Sequence, residues 1–332
     1  MNKLEGLDVS GKRVFLRADL DVPLEVGDVD AATRLKNVKP TVDWLLGHGA
    51  KNIVIAGHMG RPSGPDEKLS TRKILEPLKK ILGRNVDFME NVDAVETEQV
   101  MLFENLRFWV GETENDFEFA KSLAKIADCY VNDAFGNCHR PHASMVGLPE
   151  LLPHAAGLHL EREVEELSRI LEKPERPFVA IVGGAKIETK VPVISNLAGV
   201  ADWILVGGEL PLEIVKQNLT FDQKVIVGTL TGDTKDIDDA TISKFEDAIR
   251  GAKTIVWNGP VGLFEEGFTK GTLEIAKSIV EGGAYSVVGG GDSTQFLGQQ
   301  GFLSKFSFVS AGGGAMLEFL SGKKLPAIEA LG

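Results

Sequence analysis

Short, almost wholly apolar runs separated by amphipathic stretches repeat from one end of the chain to the other. The runs at 14–17, 53–56, 101–103, 129–131, 178–182, 203–206, 254–257, 285–288 and 306–310 are short and mostly apolar, which predicts strands buried on both faces. Between them the spacing turns helical. Leu35, Val38, Val42, Leu45 and Leu46 share one face, closed by Gly47 and Gly49, and Ser70 is placed to cap a helix carrying Ile74, Leu75, Leu78, Ile81 and Leu82. Repeated strand, loop and helix units of this length predict an α/β fold whose sheets are mostly parallel with right-handed crossovers.

In HLEREVEELSRILEKP, Leu160, Val164, Leu167, Ile170 and Leu171 fall on one helical face with charges on the other, and Pro174 ends the pattern. A chain of 332 residues exceeds what one core usually supports. The helix at 159–174 is therefore expected to connect two sheet domains, the second running from about 175 to 315.

The loops after the strands differ in chemistry between the halves. The first half puts Arg17, Asp19, Asp21, His58, Arg61, Arg107, His139, Arg140 and His142 there, with Arg34 a little beyond. The second half puts glycines there: Gly183-Gly184-Ala185-Lys186, Gly207-Gly208, Asn258-Gly259-Pro260, Gly289-Gly290-Gly291-Asp292 and Gly312-Gly313-Gly314. In open parallel sheets ligands bind beyond the carboxyl ends of the strands, so both sets are expected to line ligand sites. Guanidinium forks bind phosphate and carboxylate bidentately, and several directed at one place suit a substrate with at least two anionic groups. Glycine turns that open helices suit a polyphosphate, held by backbone N–H groups and the helix dipole.

Each residue also has a plainer reading. A lone arginine is usually a surface ion pair, and a glycine after a strand is usually a tight turn. Lys190 could be a solvated helix face where Lys186 offsets phosphate charge, and Asp292 could be a helix cap as well as a ligand to Mg²⁺. Glu265 is either a surface acid or an acceptor for ribose hydroxyls, and His58 either a donor to the ligand or a histidine bonded to its own loop.

Composition removes several classes. A net charge of −12 and a pI near 5.1 argue against nucleic-acid binding. Two cysteines, Cys129 and Cys138, without metal-type spacing fit a reducing compartment, and no apolar run approaches the ~18 residues that span a bilayer. A cytoplasmic protein without membrane partners is expected. Neither a P-loop nor a complete G-x-G-x-x-G occurs, and Gly289 to Thr294 lacks the third small residue, which disfavours a nicotinamide dehydrogenase.

The segments RADLDVP (17–23), Thr33-Arg34, GHMGRP (57–62), FENLRF (103–108), NDAFGNCHRPHAS (132–144), RPFVAIVGGAKIETK (176–190), AKTIVWNGPVGLFE (252–265), VVGGGDS (287–293) and VSAGGGAMLE (309–318) stand in family order. In them the chain resembles phosphoglycerate kinases along nearly its whole length. The resemblance implies two Rossmann-like domains across a cleft, 1–158 plus a returning 316–332 for 3-phosphoglycerate and 175–315 for Mg-nucleotide. It implies reversible, in-line phosphoryl transfer between 1,3-bisphosphoglycerate and ADP after domain closure, in a monomer. Contacts to the glycerate fall on Arg17, Asp19, Leu20, Asp21, Arg34, His58, Met59, Gly60, Arg61, Arg107 and Arg140. Contacts to ADP or ATP fall on Gly183, Gly184, Lys186, Lys190, Gly208, Asn258, Pro260, Glu265, Gly290, Gly291, Asp292 and Ser293, with Asp292 on the metal. Arg34 and Lys186, assisted by the N–H groups of Gly313 and Gly314, attend the moving phosphoryl group. The chain departs from the family in Asp21 for asparagine, in Glu209 for a third glycine followed by Leu210 and Pro211, and in a shortened 207–253 region. The alternative is a non-catalytic nucleotide-binding or scaffold protein of the same fold.

Overall fold

In a computed structural model the described residues are 1–22, 29–94 and 97–332, with no side-chain description for 29–33. Pro23, at the end of the first matching segment, lies outside the described residues, as does the side chain of Thr33. The chain divides into two compact units, Met1–Val164 with Lys324–Gly332, and Glu165–Lys323.

The first unit is built on β1 (Arg13–Arg17), β2 (Asn52–Ala56), β3 (Asp87–Met89), β4 (Val100–Phe103), β5 (Cys129–Asn132) and β6 (His154–Ala156), in the order β3-β4-β2-β1-β5-β6 and parallel throughout. The second uses β7 (Phe178–Val182), β8 (Trp203–Val206), β9 (Val225–Val227), β10 (Thr254–Asn258), β11 (Tyr285–Gly289) and β12 (Phe308–Ser310), ordered β12-β11-β10-β7-β8-β9, again all parallel. The central strands are buried along nearly their whole length, which is why they read as unbroken apolar runs. Each sheet changes direction once, beside β1 and β5 in the first and beside β7 and β10 in the second. Such reversals open a crevice at the carboxyl edge.

The helices follow the apolar spacing. Val29–Gly47 lays Leu35, Val38, Val42 and Leu45 in the first core, and Leu75–Leu82 stops at Gly83, whose φ of 68° is the left-handed cap. Ser70 accepts from the Arg72 N–H, capping a short turn at Thr71–Ile74 that precedes this helix. The connector forms a helix over Leu158–Glu172, with Leu160, Leu167 and Ile170 buried. Its charged face is less uniform than its sequence suggests, because Glu163 is fully buried beside His159. The segment returning to the first unit is Lys324–Gly332, where Ala327 N–H donates to Cys138 O, while Gly313–Leu320 lies with the second unit and Leu320 O accepts from Asn196 Nδ2. No helix among the described residues is long and apolar enough to cross a membrane. Both cysteines are free and buried.

Candidate active site

In the first unit the loops after β1, β2, β4 and β5 bring most of the basic set together. Arg17, the last residue of β1, is fully buried and each of its three nitrogens has a partner: Nε meets Ser144 Oγ at 3.0 Å, Nη1 the Ala18 carbonyl, and Nη2 His58 Nδ1 at 3.0 Å. Buried and engaged in this way, it serves the framework of the site by holding Ser144 and His58. His58, only 2% exposed, sits between Arg17 and Asp21. Burial and the charges of Arg17 and Arg107 outweigh the pull of Asp21 and depress it to about 4, so the ring is neutral near pH 7. A guanidinium can only donate, so Nδ1 is the acceptor and Nε2 carries the proton, 3.6 Å from Asp21 Oδ2.

Asp21 also accepts the Gly60 N–H at 2.8 Å through Oδ1. Burial opposes its charge, but the His58 and Gly60 bonds and the Arg34 charge prevail, and the carboxyl lies below its ordinary range. The backbone carbonyl of Asp21 receives Arg34 Nη1 at 3.0 Å, and the Gly60 carbonyl receives Arg107 Nη1 at 2.6 Å. One loop pair therefore holds both arginines.

Arg107 is 6% exposed, and its buried Nε and Nη2 meet no acceptor among the described residues. Burial first, then the charges of Arg140 and Arg17, lowers its pKa to about 10. Arg140, half-buried with Nε 3.2 Å from His139 Nε2, is likewise lowered by burial and by Arg61. Cations that depress one another lack enough counter-charge, which is the electrostatic condition for attracting an anion. Asp19 is buried against Asn137, 3.5 Å away. Leu20 and Met59 have core side chains, which leaves their backbones to face a ligand. Asn105, a positioning residue that sequence reasoning passed over, donates to Met59 O and Leu69 O, both at 2.8 Å, and accepts the Arg107 N–H. Its place in FENLRF, two residues before Arg107, was the available signal.

In the second unit the glycine turns after β7, β8 and β10 stack backbone on backbone. Gly184, Gly208, Gly259 and Gly290 all have positive φ, and a Cβ on Gly208 would stand 2.6 Å from the Gly184 nitrogen, so glycine is required. Beneath them Lys190 is 6% exposed, with Nζ 2.6 Å from Asn258 Oδ1. Burial, only partly offset by Asp292, lowers it to about 8. The solvated-face reading of Lys190 is overturned; Lys186, in the turn itself, is the exposed lysine.

Gly290 is the N-cap of the helix Gly291–Gln299 and no side chain caps it, so Asp292 is not the cap; it lies exposed in the first turn. Ser293 is buried and accepts the Gly259 N–H at 3.0 Å, tying the β11 loop to the β10 loop. Gly313 and Gly314 open the helix Gly313–Leu320, where N–H groups lack intrahelical acceptors. Beside these turns a pocket of about 260 Å³ is lined by Gly184, Ala185, Gly208, Glu209, Leu212, Asp233, Thr234, Lys235, Pro260, Gly262, Leu263, Glu265 and Asp292. Asp233 to Lys235 come from the stretch whose chemistry was least legible in sequence. A bridge between Leu230 and Ile237 closes it into a turn, and Lys235 pairs with Glu266 at 2.5 Å. The TGDTKD run, rich in turn formers, was the signal for it.

A sequence model described as phosphoglycerate kinase matches residues 4–227 and 213–323. The phosphoglycerate kinase of Leptospira biflexa is 39% identical over 386 aligned residues, covering 99% of this chain and 97% of that protein, and that of Finegoldia magna is 38% identical, covering 100% and 99%. The structure of phosphoglycerate kinase from Coxiella burnetii superposes with a TM-score of 0.84 at 32% identity, covering 99% of this chain and 98% of that one. That from Pyrococcus horikoshii superposes at 0.85 and 30%, covering 100% and 98%. The Leptospira alignment is longer than the 332 residues here, and the family match breaks and resumes around 213–227, in agreement with a shortened 207–253 region.

Proposed function

The chain belongs to the phosphoglycerate kinase family, and on that premise we propose how its residues divide the reaction, the reversible transfer of a phosphoryl group between 1,3-bisphosphoglycerate and ADP. The first unit takes the glycerate on Arg34, Arg61, Arg107 and Arg140, with Asp19, Asp21, His58 and the Gly60 turn ordering them. The observation that supports this most is the Arg107 guanidinium, buried with two nitrogens that meet no protein acceptor among the described residues. An anionic oxygen is the partner that satisfies them at least cost.

The second unit takes ADP or ATP. Gly183, Gly184, Gly208, Gly290 and Gly291 offer backbone close to the phosphates, and Lys190 and Asn258 lie under them. Pro260, Leu212 and Leu263 supply apolar wall, and Glu265 lies exposed on the pocket rim for ribose hydroxyls. Mg²⁺ fits this chain as a cation that arrives on the nucleotide. No group of three or more His, Cys, Asp or Glu among the described residues could hold a metal alone, while Asp292 offers one exposed carboxylate at the pocket. When bound, the ion would neutralise phosphate charge.

Phosphoryl transfer leaves little covalent work to the protein and depends on positioning and charge stabilisation. Arg34 and Lys186, with the Gly313 and Gly314 N–H groups, are assigned to the oxygens of the moving group, where cationic and backbone donors would stabilise the charge of the transition state. His58 is buried with Nδ1 accepting from Arg17 and Nε2 carrying its proton toward Asp21, so no free ring lone pair is left for it to act as a nucleophile. Titration calorimetry tests the division: 3-phosphoglycerate should bind without nucleotide, and no heat at millimolar ligand would contradict the glycerate assignment.

A further inference from the structure

A buried chain of hydrogen bonds runs from Glu112 to His58 behind the anion cluster. Glu112, in the short helix Val110–Thr113 after β4, is fully buried, far from where a carboxylate is normally found. Its Oε1 accepts the Ser144 hydroxyl at 2.6 Å and its Oε2 the Ser144 N–H at 2.9 Å. The Ser144 oxygen in turn accepts Arg17 Nε at 3.0 Å, so one hydroxyl bridges a buried carboxylate and a buried guanidinium. Tyr130 fixes the same turn by donating to the Ser144 carbonyl at 2.7 Å. Arg17 then donates to His58 Nδ1, and His58 directs Nε2–H at Asp21, whose carbonyl and neighbouring Gly60 hold Arg34 and Arg107.

We infer that Glu112 is a positioning residue for the glycerate site, acting through Ser144 and Arg17 to fix the His58 tautomer and with it the Asp21 and Gly60 loop. The inference rests on the glycerate reading proposed for these loops. Unbalanced, Arg17 would be a buried cation beside a cluster already short of counter-charge. Glu112 supplies the opposing charge from behind, where no substrate reaches. The hydroxyl bridge leaves Arg17 Nη2 free to aim at His58. The groups facing His58 are Arg17, Arg107 and Asp21, and those facing Glu112 are Arg17, His142, 3.6 Å away, and Ser144.

The test pairs nitrogen-15 NMR of the histidine rings with steady-state kinetics on the full-length chain. The ligand-free wild type should show His58 protonated at Nε2 alone from pH 6 to pH 8. Glu112→Gln and Ser144→Ala should disturb that state and raise KM for 3-phosphoglycerate by about tenfold with KM for ATP within twofold, and Ser144→Thr, which keeps the hydroxyl, should restore both. Ser144→Ala changes no charge, so it serves if Glu112→Gln does not fold. A wild-type His58 protonated at Nδ1, or a KM that rises with the His58 signals unmoved, overturns the relay. Signals that move with an unchanged KM overturn the positioning role by locating the fault in the glycerate assignment.

Discussion

Lys190 Nζ lies 2.6 Å from Asn258 Oδ1, buried under two glycine turns that β7 and β10 place side by side. Its pKa of about 8 stands below the ordinary 10.5, so between these values the unfolded chain holds more protons than the folded one and stability rises with pH across that window. A polyphosphate seated on the turns would reverse the sign by favouring the charged ammonium. At pH 8.5, ADP binding should therefore take up protons. Calorimetry in buffers of different ionisation enthalpy reads this directly, and Lys190→Met should remove the uptake. Identical enthalpies in every buffer would separate Lys190 from the nucleotide.

Gly183 packs so closely that an added Cβ would stand 2.6 Å from the Gly259 carbonyl oxygen. Gly183→Ala should force the β7 and β10 turns apart, at about 1–3 kcal/mol of stability. Affinity for ADP should fall at least tenfold while 3-phosphoglycerate binding holds. Equal loss of both ligands would mean global damage.

Arg107 binds the glycerate in ground and transition states alike if it only anchors the anion. Arg107→Ala should raise KM for 3-phosphoglycerate at least tenfold and leave kcat within threefold. An unchanged KM would return Arg107 to a structural part, holding the Gly60 carbonyl.

Arg34 has a different prediction because it is assigned to the moving phosphoryl group. Arg34→Ala should lower kcat on the order of 10²–10³-fold, as for other lost transition-state donors. Turnover within threefold of the wild type would remove it from the mechanism.

Much of this was legible in the sequence because burial on both faces makes parallel strands uniformly apolar, as in FVAIV and CYVN, and because their ends are where glycines and arginines stand out. The three-residue edge strands β3, β6 and β9 were not, since they are held by pairing with a neighbour and carry no periodicity of their own. The site was readable as a set of loops but not as a set of contacts. Arg17 and Lys190 look like solvent-facing cations in sequence, and only packing shows that one supports His58 and the other lies under the glycine turns. Leu20 and Met59 sit in site motifs yet point into the core. Asp233 to Lys235 enter the pocket of the second unit through a turn that no strand or helix pattern announces.

The most direct test is turnover itself, followed in a coupled assay with ATP, Mg²⁺ and 3-phosphoglycerate. The wild type should phosphorylate 3-phosphoglycerate, and Lys186→Ala should be slower on the order of 10²–10³-fold. A wild-type chain that binds nucleotide and glycerate but transfers no phosphoryl group above the Lys186→Ala background would contradict the account.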